Sequence, residues 1–179
     1  MEQLELSEIQ GFLVRDYKEM PFSKYFLLQI SDAAKAKYFL KEVSKKITSI
    51  ASGNQEYYLN IGFTSAGFSA LGLHQNNVHS FTREFREGMV TPHRQRLLGD
   101  HDSNDPKNWK WGGLSNEALH VVLMLFDQSE ENLLLHAEQF FKQFDESGLK
   151  TVHILDAETF PDDKEHFGFR DSISQPSII

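Results

Sequence analysis

A chain of 179 residues is long enough for one sizeable core, since a domain of about 150 residues buries roughly 68–70% of the surface its unfolded form exposes. Lys and Arg number 18 against 26 Asp and Glu, a formal charge of −8 that repels a phosphate backbone and argues against nucleic acid as a partner. With no cysteine, thiolate nucleophiles, disulfides, iron–sulfur ligation and Cys-based zinc sites are excluded, so any metal falls to His, Asp, Glu or a cofactor.

The amino terminus, Met1-Glu2-Gln3-Leu4-Glu5, has no basic stretch followed by an apolar run. No later segment approaches the ~20 apolar residues of a membrane span, and the expectation is a soluble cytoplasmic protein with no membrane partner. Ser23 to Ile30, rich in Tyr, Phe, Leu and Ile between Pro21 and Ser31-Asp32, reads as a strand. Ala36, Phe39, Leu40, Val43, Ile47 and Ile50 then recur at helical spacing, which predicts a helix over 33–50 with Ser31 or Asp32 as N-cap and Gly53 past its end. Tyr57 to Phe63 alternates apolar and other residues, the period of a half-buried strand.

A second unit follows. Leu119 to Phe126 is almost wholly apolar, Ser129 caps a helix bearing Leu133, Ala137, Phe140 and Phe144, Gly148 ends that helix, and Thr151 to Asp156 makes a last strand. The order βαββαβ predicts an α+β fold, a ferredoxin-like antiparallel sheet in a single domain over 1–179. In such a sheet helices cover one face only, so strands should alternate. Leu119 to Phe126 does not: Val122, Met124 and Phe126 point opposite to Val121, Leu123 and Leu125, and something must pack on the second face. Loops of the same chain, a second domain or a homodimer mate could supply it. Between the second and third strands, Thr64 to Ala118 forms a long helical and irregular insertion, with helical stretches expected at Ala66 to Leu71 and Ser80 to Glu87.

Several constellations carry a functional and a structural reading. Gly62 and Gly67 are spaced like a phosphate-binding loop, but Phe68 stands where that loop needs a lysine, which favours close-packing turn positions. The histidines show no HExxH pair and no zinc-like spacing. His120 and His153 read as hydrogen-bonded core or face residues, and His74, His79, His93, His101 and His136 as surface or loop positions. His166 adjoins the carboxy-terminal motif. Trp109 and Trp111 fit core packing or an aromatic wall. Arg83, Arg86, Arg94 and Arg96 fit ordinary ion pairs or the reception of a carboxylate or propionate. No metal-ligating residue is assigned.

The remaining candidate is Glu165-His166-Phe167-Gly168-Phe169-Arg170-Asp171-Ser172-Ile173-Ser174-Gln175-Pro176. A carboxylate hemmed by Gly, Phe, Arg and Ile can have its protonation tuned for proton transfer. On the same residues, Asp171 can instead pair with Arg170 or cap a turn.

This run resembles the haem motif of the dye-decolourising peroxidase family, Gly-x-x-Asp-Gly, commonly set in Glu-His-Phe-Gly-Phe-Arg-Asp-Gly-Ile-Ser-Gln-Pro. Gly168 to Asp171 match and Ser172 departs. The resemblance extends to Ile9-Gln10-Gly11, Asn60 to Leu73, Phe85-Arg86-Glu87-Gly88-Met89, Leu98-Gly99-Asp100 and Trp109 to Gly113. It implies haem b as cofactor, held between two ferredoxin-like domains, with hydrogen peroxide and an organic reductant as substrates. Asp171 is then the acid–base residue that takes a proton from peroxide and returns it to the departing oxygen. Phe169, Arg170, Asp171, Ser172, Ile173, Ser174 and Gln175 are the expected cofactor-binding residues. The family's proximal histidine and distal arginine lie in its second domain, so neither role is assigned in 1–179. A missing domain, a partner chain or a homodimer mate is expected to complete the site. The alternative is a non-catalytic ferredoxin-like module whose Ser172 marks a degenerate motif.

Overall fold

A computed structural model describes residues 4–160, 164 and 167–169. The scaffold is β1 (Phe22–Ile30), α1 (Ala33–Ser44), β2 (Tyr58–Phe63), β3 (Val121–Asp127), α6 (Glu130–Phe144) and β4 (Leu149–Glu158). Between β2 and β3 lie the short helices α2 (Ser65–Ala70), α3 (Gln75–Ser80), α4 (Arg83–Glu87) and α5 (Pro92–Leu98). All pairings in the sheet are antiparallel and its order is β2-β3-β1-β4, the ferredoxin-like arrangement that the βαββαβ order predicts.

Register assigns the two faces. Phe26 lies opposite Leu123 of β3 and Ile154 of β4, and Leu123 lies opposite Ile61 of β2, so these residues share the side on which α1 and α6 pack. There Phe26, Leu28, Leu123 and Leu125 meet Phe39, Phe140 and Phe144 in the principal core. Phe144 contacts Phe26 and Phe39 edge to face at 5.2 and 6.0 Å between ring centroids. The other face presents Tyr25, Leu27, Val122, Met124, Phe126 and Leu155.

Local chemistry starts the helices where the sequence predicts. The Asp32 carboxylate accepts from the backbone N–H groups of Ala34 and Lys35, at 3.0 and 3.1 Å, and Ser129 Oγ accepts from Asn132 N–H at 3.2 Å. The first helix is shorter than its periodicity suggests. It ends at Ser44, because Thr48 and Ile50 turn back to satisfy other backbone groups: Thr48 N–H donates to Leu59 O, and Ile50 N–H to Ile9 O, each at 2.8 Å. Ile47 and Ile50 carry helical spacing by coincidence of a chain that re-enters the core edge.

The amino-terminal segment has its own structural task. Gln10 completes the free edge of β2, its Nε2 donating to Ile61 O and its Oε1 accepting from Ile61 N–H, both at 2.8 Å. Gly11 permits this approach, since a Cβ there would lie 2.7 Å from Tyr17 Oη. Tyr17 in turn donates to Asn60 Oδ1 at 3.0 Å and packs with Met20, Tyr58 and Phe126 in a second, smaller cluster. Residues of the same chain therefore cover part of the sheet's second face, at its β2 side. Val122, Met124 and Leu155 on that face remain half-buried.

Candidate functional site

The expected site falls largely outside the described residues. Arg170, Asp171, Ser172, Ile173, Ser174 and Gln175 are not among them, and neither is His166. Phe169 is described and is 76% exposed, as is its neighbour Phe167 at 88%. Gly168 between them has φ of +82°, in the left-handed region where glycine alone carries no Cβ penalty. Upstream, Glu158 pairs with Phe22 and Thr159 N–H donates to Pro21 O at 2.8 Å, so the chain leaves the sheet beside the start of β1.

The surface that accompanies this exit on the second face of the sheet is apolar and close-grained. Leu27 lies opposite Val122 and His153, and Tyr25 opposite Met124 and Leu155. Gly62 faces Val122, whose Cγ1 would stand 3.0 Å from a Cβ at that position. Gly67 is tighter still: a Cβ there would fall 2.1 Å from the backbone oxygen of His120. Both glycines are close-packing positions. Phe68, at the place where a phosphate loop needs its cation, instead stacks between Phe63 and Phe81 at 5.2 and 5.4 Å.

The histidines divide by environment. His120 Nδ1 accepts from Ile30 N–H at 3.0 Å, and burial holds its pKa below the ordinary value. His153 is half-buried on the second face. His136 corrects the expectation of a surface position: it is buried, with Nδ1 2.8 Å from Asp127 Oδ2 and Nε2 3.2 Å from Glu56 Oε1. Asp127 is fully buried, and its other oxygen accepts from Gln128 N–H at 2.8 Å. The ring of Tyr57 lies 4.7 Å from that of His136. This arrangement ties the loop before β2 to α6. The sequence carried the signal, since His136 stands three residues after Leu133 on the apolar stripe of the helix. Among the described residues no cluster of three or more His, Cys, Asp or Glu side chains could hold a metal ion.

The arginines follow the ion-pair reading at two positions: Arg83 Nε lies 2.6 Å from Glu87, and an Arg94 terminal nitrogen lies 3.1 Å from Glu84. Glu87 holds the Arg83 guanidinium's pKa above its ordinary value, and Glu84 is held below the usual carboxylate range by backbone hydrogen bonding and by Arg94. Arg94 Nε is buried with no hydrogen-bond partner among the described residues. Neither tryptophan belongs to a core cluster. Trp109 is half-buried and donates its indole N–H to Asn104 O at 2.8 Å, while Trp111 is 39% exposed.

The segments quoted for the family resemblance thus fold as structural anchors: Gln10 at the sheet edge, Asn60 bonded to Tyr17 of the second cluster, Gly67 against His120 just before β3, and Gly88 and Gly99 as positive-φ helix ends. Comparison with known proteins agrees. The chain is 28% identical over 185 residues to a dye-decolorizing peroxidase of Mycetinis scorodonius, and 26% identical over 191 residues to that organism's Peroxidase 2. Each comparison covers 98% of this chain, which spans 34% of the relative's length. Among solved structures, the DyP-type peroxidase of Anabaena sp. superposes with a TM-score of 0.81 at 19% identity, over 96% of this chain and 40% of that one. A fungal DyP-type peroxidase from Auricularia auricula-judae superposes with a TM-score of 0.76 at 20% identity, over 99% of this chain and 39% of its own. These two likenesses concern the fold. Residues 8–161 match the model of the DyP dimeric alpha+beta barrel domain, and the chain belongs to that family.

Proposed function

We propose that this chain is the amino-terminal part of a haem-dependent peroxidase that reduces hydrogen peroxide at the expense of an organic electron donor. The observation that carries the reading is the family match over 8–161, which ends shortly before Gly168-Phe169-Arg170-Asp171 in the sequence. Phe169 through Gln175 would line the haem, with Asp171 as the residue that holds and returns the peroxide proton. That duty requires a carboxylate within hydrogen-bond reach of peroxide and able to cycle its proton.

The described residues fit one part of this task. Haem b is a broad apolar plate with an iron that needs an axial ligand, and it supplies the redox chemistry when bound. The half-buried Val122, Met124 and Leu155 suit an apolar neighbour, whether the plate itself or a second domain. A second ferredoxin-like domain, as a continuation of the chain or a partner, would complete the site and cover the sheet. Ser172 in place of the motif glycine adds a Cβ and a hydroxyl beside Asp171, and Ser172→Gly is expected to tighten haem binding.

A hemin titration followed by visible absorbance tests the reading. Saturation at one haem per chain with a sharp Soret band supports it, while non-saturating association supports the alternative of a non-catalytic ferredoxin-like module. Once a half bearing the iron ligand is supplied, Asp171→Asn should keep the Soret band and lose peroxide turnover. Retention of full turnover in that variant removes Asp171 from the proton-transfer role.

A further inference from the structure

A cleft of about 450 Å³ opens at the corner of the sheet where β1 begins and β4 ends, between the helix-side face of the sheet and the first turns of α6. Phe22, Leu133, Leu134 and Phe160 give it apolar walls. Its size falls in the range of sites for small organic molecules, which are typically apolar with a few placed polar groups. The polar groups here are one-sided in charge. Among the described lining residues, Asp156, Glu130 and Glu158 contribute three carboxylates and Lys24 one ammonium. Lys24 is already engaged: its Nζ bonds Asp156, and its side chain is only 13% exposed.

With Asp156 neutralised in this way, Glu130 and Glu158 are left as carboxylates that take part in no ion pair among the described residues. They stand on different elements, one on the first turn of α6 and the other at the end of β4, and both line the cleft with its apolar walls. We propose that this cleft is a binding site for a small amphipathic organic cation, an aromatic or aliphatic body bearing a protonated amine. The body packs against Phe22, Leu134 and Phe160, and the ammonium meets Glu158 and Glu130. Low-dielectric walls strengthen that attraction relative to open surface. The proposal does not depend on haem binding.

Amide-resolved NMR of the full 179-residue chain, titrated with phenethylammonium chloride at low ionic strength, tests this. Two probes of the same shape, neutral 2-phenylethanol and anionic 3-phenylpropanoate, serve as controls. Saturable shifts confined to the amides around Lys24, Leu134 and Glu158 are expected, with the ammonium bound about tenfold more tightly than the alcohol, a difference of about 1.4 kcal/mol. The double substitution Glu130→Gln and Glu158→Gln should erase that preference. Because Glu130 also supports the start of α6, Glu158→Gln alone is the second variant, expected to remove part of the preference with the rest of the spectrum unchanged. The proposal is overturned by equal affinity for the alcohol, by shifts centred elsewhere, by a preference that survives the double substitution, or by the absence of saturation.

Discussion

The helix-side core and the insertion between β2 and β3 are held by different physics. In the core, Phe26, Leu28, Leu123, Leu125 and Phe144 come from distant parts of the chain and are each at most 1% exposed. In the insertion, the helices are short, Met89, Leu97 and Leu98 are at least half exposed, and much of the order comes from neighbours in sequence. Thr64, His74, Thr82 and Thr91 each cap the helix that follows, and Phe68, Phe81 and Phe85 pack on one another. A family fold can therefore keep its scaffold rigid while a locally stabilised insertion varies beside it.

The comparison breaks most sharply at Phe144. Truncation by Phe144→Ala should cost about 3–5 kcal/mol in urea unfolding, with protection lost across the entire sheet. A loss below about 1 kcal/mol would mean that the core is not the common support of the scaffold.

Gly67 sits at the seam between the regions, and Gly67→Ala forces a methyl into the backbone of His120. Overpacking of this kind costs about 1–3 kcal/mol, and hydrogen exchange should report the loss at α2 and the start of β3 together. Protection lost in α2 alone would show that the seam is loose. Within the insertion, Thr82→Ala removes a cap and should cost about 0.5–1 kcal/mol, visible as faster exchange in α4 while the sheet amides are unchanged.

The smallest effect is in pH dependence. Burial lowers the His120 pKa in the folded chain, so the unfolded chain binds the extra proton more readily in the window below the ordinary value of about 6.5. His120 thus contributes a stability that is complete above that value and declines as pH falls towards the lowered folded pKa. Replacement by Asn, which offers an amide oxygen to Ile30 N–H, should flatten the stability profile below about pH 6.5. An unchanged slope would assign the profile to other groups.

Elements with a strong local signature were legible in the sequence. Alternation located β2, Asp32 and Ser129 announced their helices, and the βαββαβ order led to the sheet that is observed. At the end of α1 the hydrophobic period alone misled. Ile47 and Ile50 kept helical spacing beyond the end of α1, since nothing in a hydrophobic period tells a last helical turn from a loop folding back to pair with Ile9 and Leu59. Of the candidate site, the motif residues were legible as a string, and the described geometry reaches only Phe167, Gly168 and Phe169 of it.

Sequence by itself determined the repeated βαβ units, their caps and the apolar stripes, because these depend on neighbours within a few residues. Tertiary structure decided that His136 is clasped between Asp127 and Glu56, that Gln10 closes the edge of β2, and that three carboxylates gather around one cleft. Those outcomes join residues up to 134 positions apart, as Lys24, Glu130 and Glu158 show in the cleft and Ser23 and Ala157 in their hydrogen bond. Burial and partnership at such separations are properties of the packed chain, and no local period encodes them.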